Sequence, residues 1–168
     1  YPDLLTLPQH FMANDYHVAG AGKTFHVADP ASWNEYFPSK TSQFVGGPKP
    51  PVIPANGIED LGAPDWAALT DSIDKMADSK IVSDGLIPYL NRTHDKPFFF
   101  SLGFFAPHSP WYVPDEFFEK FPLDSVMLPE HIENDAEDLP PIAQLLTGTS
   151  GHKAIVESGN WKAAVSGY

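Results

Sequence analysis

A chain of 168 residues with 42% hydrophobic and 13% aromatic content is long and apolar enough for a sizeable core, which excludes a disordered or low-complexity protein. Its formal charge of −12 repels nucleic acid and anionic membrane surfaces, so neither is an expected partner and an anionic ligand needs a local positive pocket. With no cysteine, disulfides, thiolate metal sites and a cysteine nucleophile are excluded from this stretch, and no run reaches the roughly 18 apolar residues of a membrane-spanning helix.

In chain order, Thr6-Leu7-Pro8-Gln9 has the form of a capping box and predicts a short helix with Leu7 and Phe11 on one face. Asn14-Asp15 supplies a turn before Tyr16-His17-Val18-Ala19-Gly20, a brief strand. Gly22-Lys23-Thr24 then matches the end of a phosphate-cradling loop, G-x-x-x-x-G-K-[ST]. His17 occupies the place of its first glycine, however, and Asp29-Pro30 leaves little room for the helix that such a loop needs, so a nucleotide site is disfavoured.

From Asp29 to Pro64 the chain carries Pro30, Pro38, Pro48, Pro50, Pro51, Pro54 and Pro64, with Gly46-Gly47 and Gly57 among them. Positions 29–64 are therefore expected to form a long irregular excursion, either wrapping near a binding site or running passively over the surface. Trp66, Leu69, Ile73 and Met76 form a stripe at helical spacing with Asp65 as its cap, predicting a core-packed helix. A second helical stretch points Ile81, Val82, Leu86 and Leu90 inward, with Pro88 as a kink.

Pro97-Phe98-Phe99-Phe100-Ser101-Leu102-Gly103 is an apolar run too dense to alternate, which suits a strand buried on both faces of a parallel sheet. Pro107-His108-Ser109-Pro110 then holds an imidazole beyond that strand's carboxyl end, where open α/β sheets bind ligands. The alternation of strand, helix and strand predicts an α/β fold. Further on, Pro114 opens a helix with Asp115 and Glu116 at its positive end, Phe117, Phe118 and Phe121 as its buried face, and Pro122 closing it. Glu130, Glu133, Asp135, Glu137 and Asp138 mark a solvated loop. A helical pattern begins at Trp161 and runs to Tyr168 without a clear cap; with Tyr1 in place of an initiator methionine, positions 1–168 are expected to be a fragment of one larger domain.

The chemistry-bearing residues are Lys23, His26 and His108. Lys23 offers a point charge to an anionic group, and His26, three residues on, can donate or accept a proton near neutral pH. With His108, one ammonium and two imidazoles could meet around a tetrahedral oxyanion. A single histidine is more often a packed or surface residue, so the conjunction carries the argument.

These residues carry a family resemblance. Leu7-Pro8-Gln9 with Phe11, followed by Tyr16 through His26, resembles the segment of sulfatases, particularly iduronate-2-sulfatase-like enzymes, that contains a G-K-x-x-H or G-K-x-H element. Pro97-Phe98-Phe99 through Pro107-His108-Ser109-Pro110-Trp111 is similar to that family's P-F-F…G-F-x-x-P-H-x-P-[FW] strand and loop, and Tyr112 to Phe118 and Asp138-Leu139-Pro140-Pro141 are similar to segments that follow it. The resemblance implies an alkaline-phosphatase-like three-layer α/β sandwich with a mostly parallel sheet, of which this chain is a part. It also implies hydrolysis of the sulfate esters of a sulfated small molecule, sugar or polysaccharide, using calcium and a formylglycine. Lys23 would then bind the sulfate, His26 would contact the formylglycine hydrate, and His108 would bind the ester sulfate near its leaving oxygen.

The family's nucleophile lies in a C/S-x-P-x-R motif, whereas the only arginine here is Arg92, in Asn91-Arg92-Thr93. The paired aspartates and the Asp-His-Gly element of the family are also missing, so the resemblance puts the nucleophile and the calcium ligands outside this chain, which alone is expected to be inactive. Two alternatives stay open: a phosphodiesterase or phosphonate-ester hydrolase of the same superfamily, and a non-catalytic anion- or carbohydrate-binding module. Asn91-Arg92-Thr93 fits a glycosylation acceptor and would suit a secreted, periplasmic or lysosomal protein.

Overall fold

The structure is a computed structural model that describes residues 4–59, 61–62, 64–132, 134–147 and 150–168. Its contacts divide the chain into two compact units, Tyr1–Pro48 with Ser72–Ala106, and Lys49–Asp71 with Pro107–Tyr168. Both are built on parallel strands, so the mixed α/β class read from the sequence is the observed one. Among the described residues no helix is long and apolar enough to cross a membrane.

In the first unit, α1 (Leu7–Ala13) starts at the predicted capping box: Thr6 Oγ1 accepts from the Gln9 amide at 3.3 Å, and Gln9 Oε1 accepts from the Thr6 amide at 2.9 Å. Only part of its predicted apolar face is covered. Phe11 stacks on Phe99 with ring centroids 4.4 Å apart, while Leu7 is 62% exposed. Asp15, at a left-handed φ of 64°, turns the chain into β1 (His17–Gly22).

The sheet runs β2 (Glu35–Phe37), β1, β4 (Phe98–Gly103), all parallel, with β1 and β4 in register from His17↔Phe98 to Gly22↔Gly103. Two expectations change here. The strand buried on both faces is β1, whose Val18 to Gly22 are all buried, whereas β4 has β1 as its one neighbour among the described strands and leaves Phe98 37% exposed. The excursion over 29–64 is not wholly irregular either. A short 3₁₀ turn, Pro30–Ser32, leads into β2, and Asn34 Oδ1 accepts the Val18 amide at 2.7 Å just before β2 pairs with β1.

The small residues of β1 let neighbours press close: a Cβ at Gly20 would come within 2.6 Å of the Tyr36 ring. Over the sheet runs a helix in three pieces, α2 (Ala77–Lys80), a π-helical turn (Ile81–Leu86) and α3 (Ile87–Leu90), with Pro88 in the first turn of the last. The π turn inserts an extra residue into the helical period, so the inward side chains are Ile81 and Tyr89, while Leu90, predicted to face inward, is 49% exposed.

In the second unit, β3 (Trp66–Leu69) and β5 (Trp111–Pro114) pair in parallel, Trp66 opposite Trp111. The helix predicted from Trp66 to Met76 is therefore not formed. Trp66 and Leu69 are the two buried ends of a short strand, and Ile73 belongs to a 3₁₀ turn with 47% exposure. Asp65 caps no helix: its carboxylate takes the amides of Ala55, Asn56 and Trp66 at 2.8–2.9 Å and the Tyr112 hydroxyl at 2.5 Å. Among the described residues four α-helices follow, α4 (Asp115–Lys120), α5 (Pro141–Leu146), α6 (Ser150–Glu157) and α7 (Trp161–Gly167). Asp115 and Glu116 do occupy the first turn of α4, but Phe121 lies past its end and is 63% exposed. The predicted acidic loop is exposed at Glu130, Asp135, Glu137 and Asp138; Glu133 lies outside the described residues.

Candidate functional site

The site begins where β1 and β4 end side by side. Gly22 adopts a left-handed φ of 73°, open to glycine at no steric cost, and the Lys23 amide donates to Gly103 O at 2.9 Å. A Cβ on Gly22 would overlap the Gly103 carbonyl, and one on Gly103 would overlap the Lys23 carbonyl. Two glycines in register thus let the strands touch at the point where Lys23 leaves the sheet.

The Lys23-to-His26 loop is tied down by side chains from the proline-rich stretch. Gln43, only 6% exposed, accepts the amides of Thr24 and Phe25 on one oxygen at 3.1 and 3.2 Å. The Tyr36 hydroxyl donates to Gly22 O at 2.5 Å and lies 2.6 Å from Thr24 Oγ1. Since the phenol spends its one hydrogen on Gly22, Thr24 is the donor to Tyr36. Burial raises the Tyr36 pKa above its ordinary value, against an opposing pull from the Thr24 hydrogen bonds, so the phenol keeps its proton. Phe25, Trp33 and Tyr36 pack as neighbouring rings, Phe25 on Trp33 at 5.5 Å and Trp33 on Tyr36 at 4.9 Å.

Within this frame the structure brings two of the three predicted residues together. Lys23 Nζ donates to His26 O at 3.3 Å, Lys23 is half-buried, and the His26 imidazole is exposed. The element that follows the loop is the short 3₁₀ turn Pro30–Ser32. His108 belongs to the second unit, where it is exposed. Its Nδ1 lies 2.6 Å from Ser109 O; a carbonyl only accepts, so Nδ1 carries a proton and Nε2 is the nitrogen left for a ligand. Trp111 Nε1 donates to Pro107 O at 2.7 Å and closes that loop, which also contains a cis Ser109-Pro110 bond.

No sequence pattern marks Gln43 or Tyr36, and Thr24 enters only as the last residue of the disfavoured phosphate-loop pattern. Gln43 sits among prolines with no periodicity, and its partners lie 18 and 19 residues away, so no local signal marks it. Among the described residues no three His, Asp or Glu side chains gather into a group that could hold a metal ion. By residue type, an ammonium can bind an anion and an imidazole can carry a proton.

No family model matches the chain. Over an alignment of 177 positions that takes in 99% of the chain, it is 28% identical to a protein named Sulfatase from Formosa agariphila, and covers 35% of that protein. It is 28% identical over 155 residues to Iduronate 2-sulfatase from Homo sapiens, and 26% identical over 156 residues to the same-named protein from Mus musculus, each alignment covering 82% of the chain and 26% of the relative. The chain thus spans about a third of the length of the bacterial relative and about a quarter of the mammalian ones. Over most of its length the chain is similar to curated proteins named Sulfatase and Iduronate 2-sulfatase, at 26–28% identity.

Proposed function

We propose that this chain is part of an enzyme that hydrolyses sulfate esters of a sugar or polysaccharide, with Lys23, His26 and His108 contacting the sulfate and the group that attacks it. The observation that carries the proposal is the alignment of 99% of the chain with a protein named Sulfatase. The geometry supports it. Lys23 stands on a loop fastened by Gln43 and Tyr36, so its ammonium is held near one place and can neutralise an incoming sulfate. Fixed donors of this kind lower a barrier by about 3 kcal/mol each when they face developing charge.

His108, with Nε2 free, would offer a proton to the leaving oxygen when the ring is charged, and His26, whose ring is exposed, would take one up. On this reading the nucleophile and the ligands of a calcium ion belong to parts of the enzyme other than these residues.

The test is hydrolysis of 4-nitrocatechol sulfate and of bis-(4-nitrophenyl) phosphate by the purified full-length protein. Sulfate release that falls by roughly a hundredfold or more in Lys23→Ala and in His108→Ala, with the melting temperature kept, is the expected result. Faster phosphodiester hydrolysis, or sulfate binding with no turnover, overturns it in favour of the diesterase or the binding module.

A further inference from the structure

We infer that Gln43 is a positioning residue for the anion site: its amide oxygen sets where Lys23 stands, and sulfate affinity depends on it although it touches no sulfate. The inference rests on the proposed sulfatase activity and goes beyond it to a side chain that no sequence motif marks.

Gln43 is a buried amide in a stretch that otherwise runs through exposed or half-buried residues, and an amide is removed from water at a cost unless it is paired. Its pairing is specific. Both contacts are backbone N–H donors, so the atom facing them is the oxygen, and the two donors are consecutive amides of the loop that carries Lys23 and His26. One acceptor holding two successive amides fixes the peptide between them in position and in rotation. Tyr36 grips the same loop from Gly22 O and Thr24 Oγ1, so the chain immediately before and after Lys23 is anchored, while among the described residues its ammonium bonds to His26 O.

The choice of a neutral acceptor fits the charge of the neighbourhood. An aspartate or glutamate would accept the same two amides more strongly, but would set a negative charge on the loop of a lysine whose task is to receive an anion. An amide oxygen fastens the loop without drawing the ammonium inward. A merely structural glutamine would add to the stability of the loop and leave the ammonium's contribution to binding unchanged.

The experiment is a mutant cycle on the full-length enzyme, read as the inhibition constant of inorganic sulfate. Gln43→Met keeps the length of the side chain and removes the acceptor. In the presence of Lys23 it is expected to raise the sulfate constant about tenfold, because small displacements of a binding group are costly. In the Lys23→Ala background the same change is expected to move it less than about twofold, because the two residues act through one contact. Tyr36→Phe, which removes one hydroxyl and keeps the ring, should follow the same pattern at about threefold and carries the test if Gln43→Met does not fold. The same factor in both backgrounds, or an unchanged constant where Lys23→Ala alone raises it, overturns the inference and leaves the sulfatase proposal standing. A full-length enzyme with no sulfate-ester turnover overturns the proposal itself.

Discussion

The carboxylate of Asp78 takes the Phe105 amide at 2.8 Å on one oxygen and the next amide, that of Ala106, at 3.0 Å on the other. A side chain at the start of α2 thus fastens the chain as it leaves β4, through hydrogen bonds to an ionised acceptor. Asp78→Ala leaves two amides to find water, and is expected to cost about 1–2 kcal/mol because Ala106 is already exposed. For a protein of this size that lowers the melting temperature by roughly 3–6 °C by calorimetry. Amide exchange at Phe105 and Ala106 should quicken more than elsewhere in the unit.

Gly103 lies opposite Gly22 at the end of the sheet, and a Cβ there would meet the carbonyl of Lys23. Backbone cannot swing aside as the tip of a flexible side chain can. Gly103→Ala is therefore expected to destabilise by about 3 kcal/mol or more, the range of substitutions that force strain on a packed site. Denaturant unfolding checks this, and a midpoint within error of the parent would show that the strand ends can part without cost.

His17 bears on stability at mildly acid pH. Burial is the main cause that lowers its pKa, with the charges of Arg92 and Lys96 adding to it; these outweigh Glu35, whose Oε1 is 3.1 Å from His17 Nε2 and whose carboxylate is also shared with Arg92. The unfolded imidazole takes up a proton near pH 6.5 while the folded one still resists it, so the unfolded state binds more protons in that window. The contribution of His17 is therefore complete above about pH 6.5 and declines as pH falls toward its lower folded value. Arg92→Gln removes one of the repelling charges and should move the imidazole titration, followed by NMR, upward; a downward move would contradict this account.

Local chemistry was readable in advance and non-local chemistry was not. The Thr6 and Gln9 cap closes within four residues, and the strand at Phe98 and the loop from Gly22 to His26 were visible as short patterns. Trp66 and Leu69, three apart, suited a helix equally well by spacing, and what decides for a strand is Trp111, brought alongside by the fold. β2 carries no signal of its own because its pairing with Ala19 to Ala21 of β1, not its own three residues, makes it a strand. Gln43 offers no pattern at all, since its importance lies in two amides far back in the chain. The π turn before Pro88 shifted the inward face from Leu90 to Tyr89, a change in period that regular spacing cannot anticipate.

Asp65 and Tyr112 provide the last prediction. Burial would push the Asp65 carboxyl up, but hydrogen bonds from Tyr112, Ala55, Asn56 and Trp66 overcome it and hold the pKa below the usual aspartate value. Tyr112 moves the opposite way, pushed up to about 12 by burial and then by its bond to, and the charge of, Asp65. The signs follow. The depressed carboxyl stabilises the fold above its unfolded pKa of about 4, and this is lost as pH falls through the lower folded value. The raised phenol stabilises below its unfolded pKa of about 10, and that contribution is lost as pH climbs through the folded value. Asp65→Asn sets an NH₂ group among donors, where it leaves the Ala55 amide and the Tyr112 hydroxyl without their acceptor. A cost of about 2–4 kcal/mol at pH 7 is expected, with a shallower loss of stability in acid than the parent shows. Ultraviolet titration offers the independent check: burial raises Tyr36 and Tyr89 as well, but of the 6 tyrosines Tyr112 is the one that should ionise earlier in the variant than in the parent. Superimposable alkaline titration curves would mean that the carboxylate does not control the phenol.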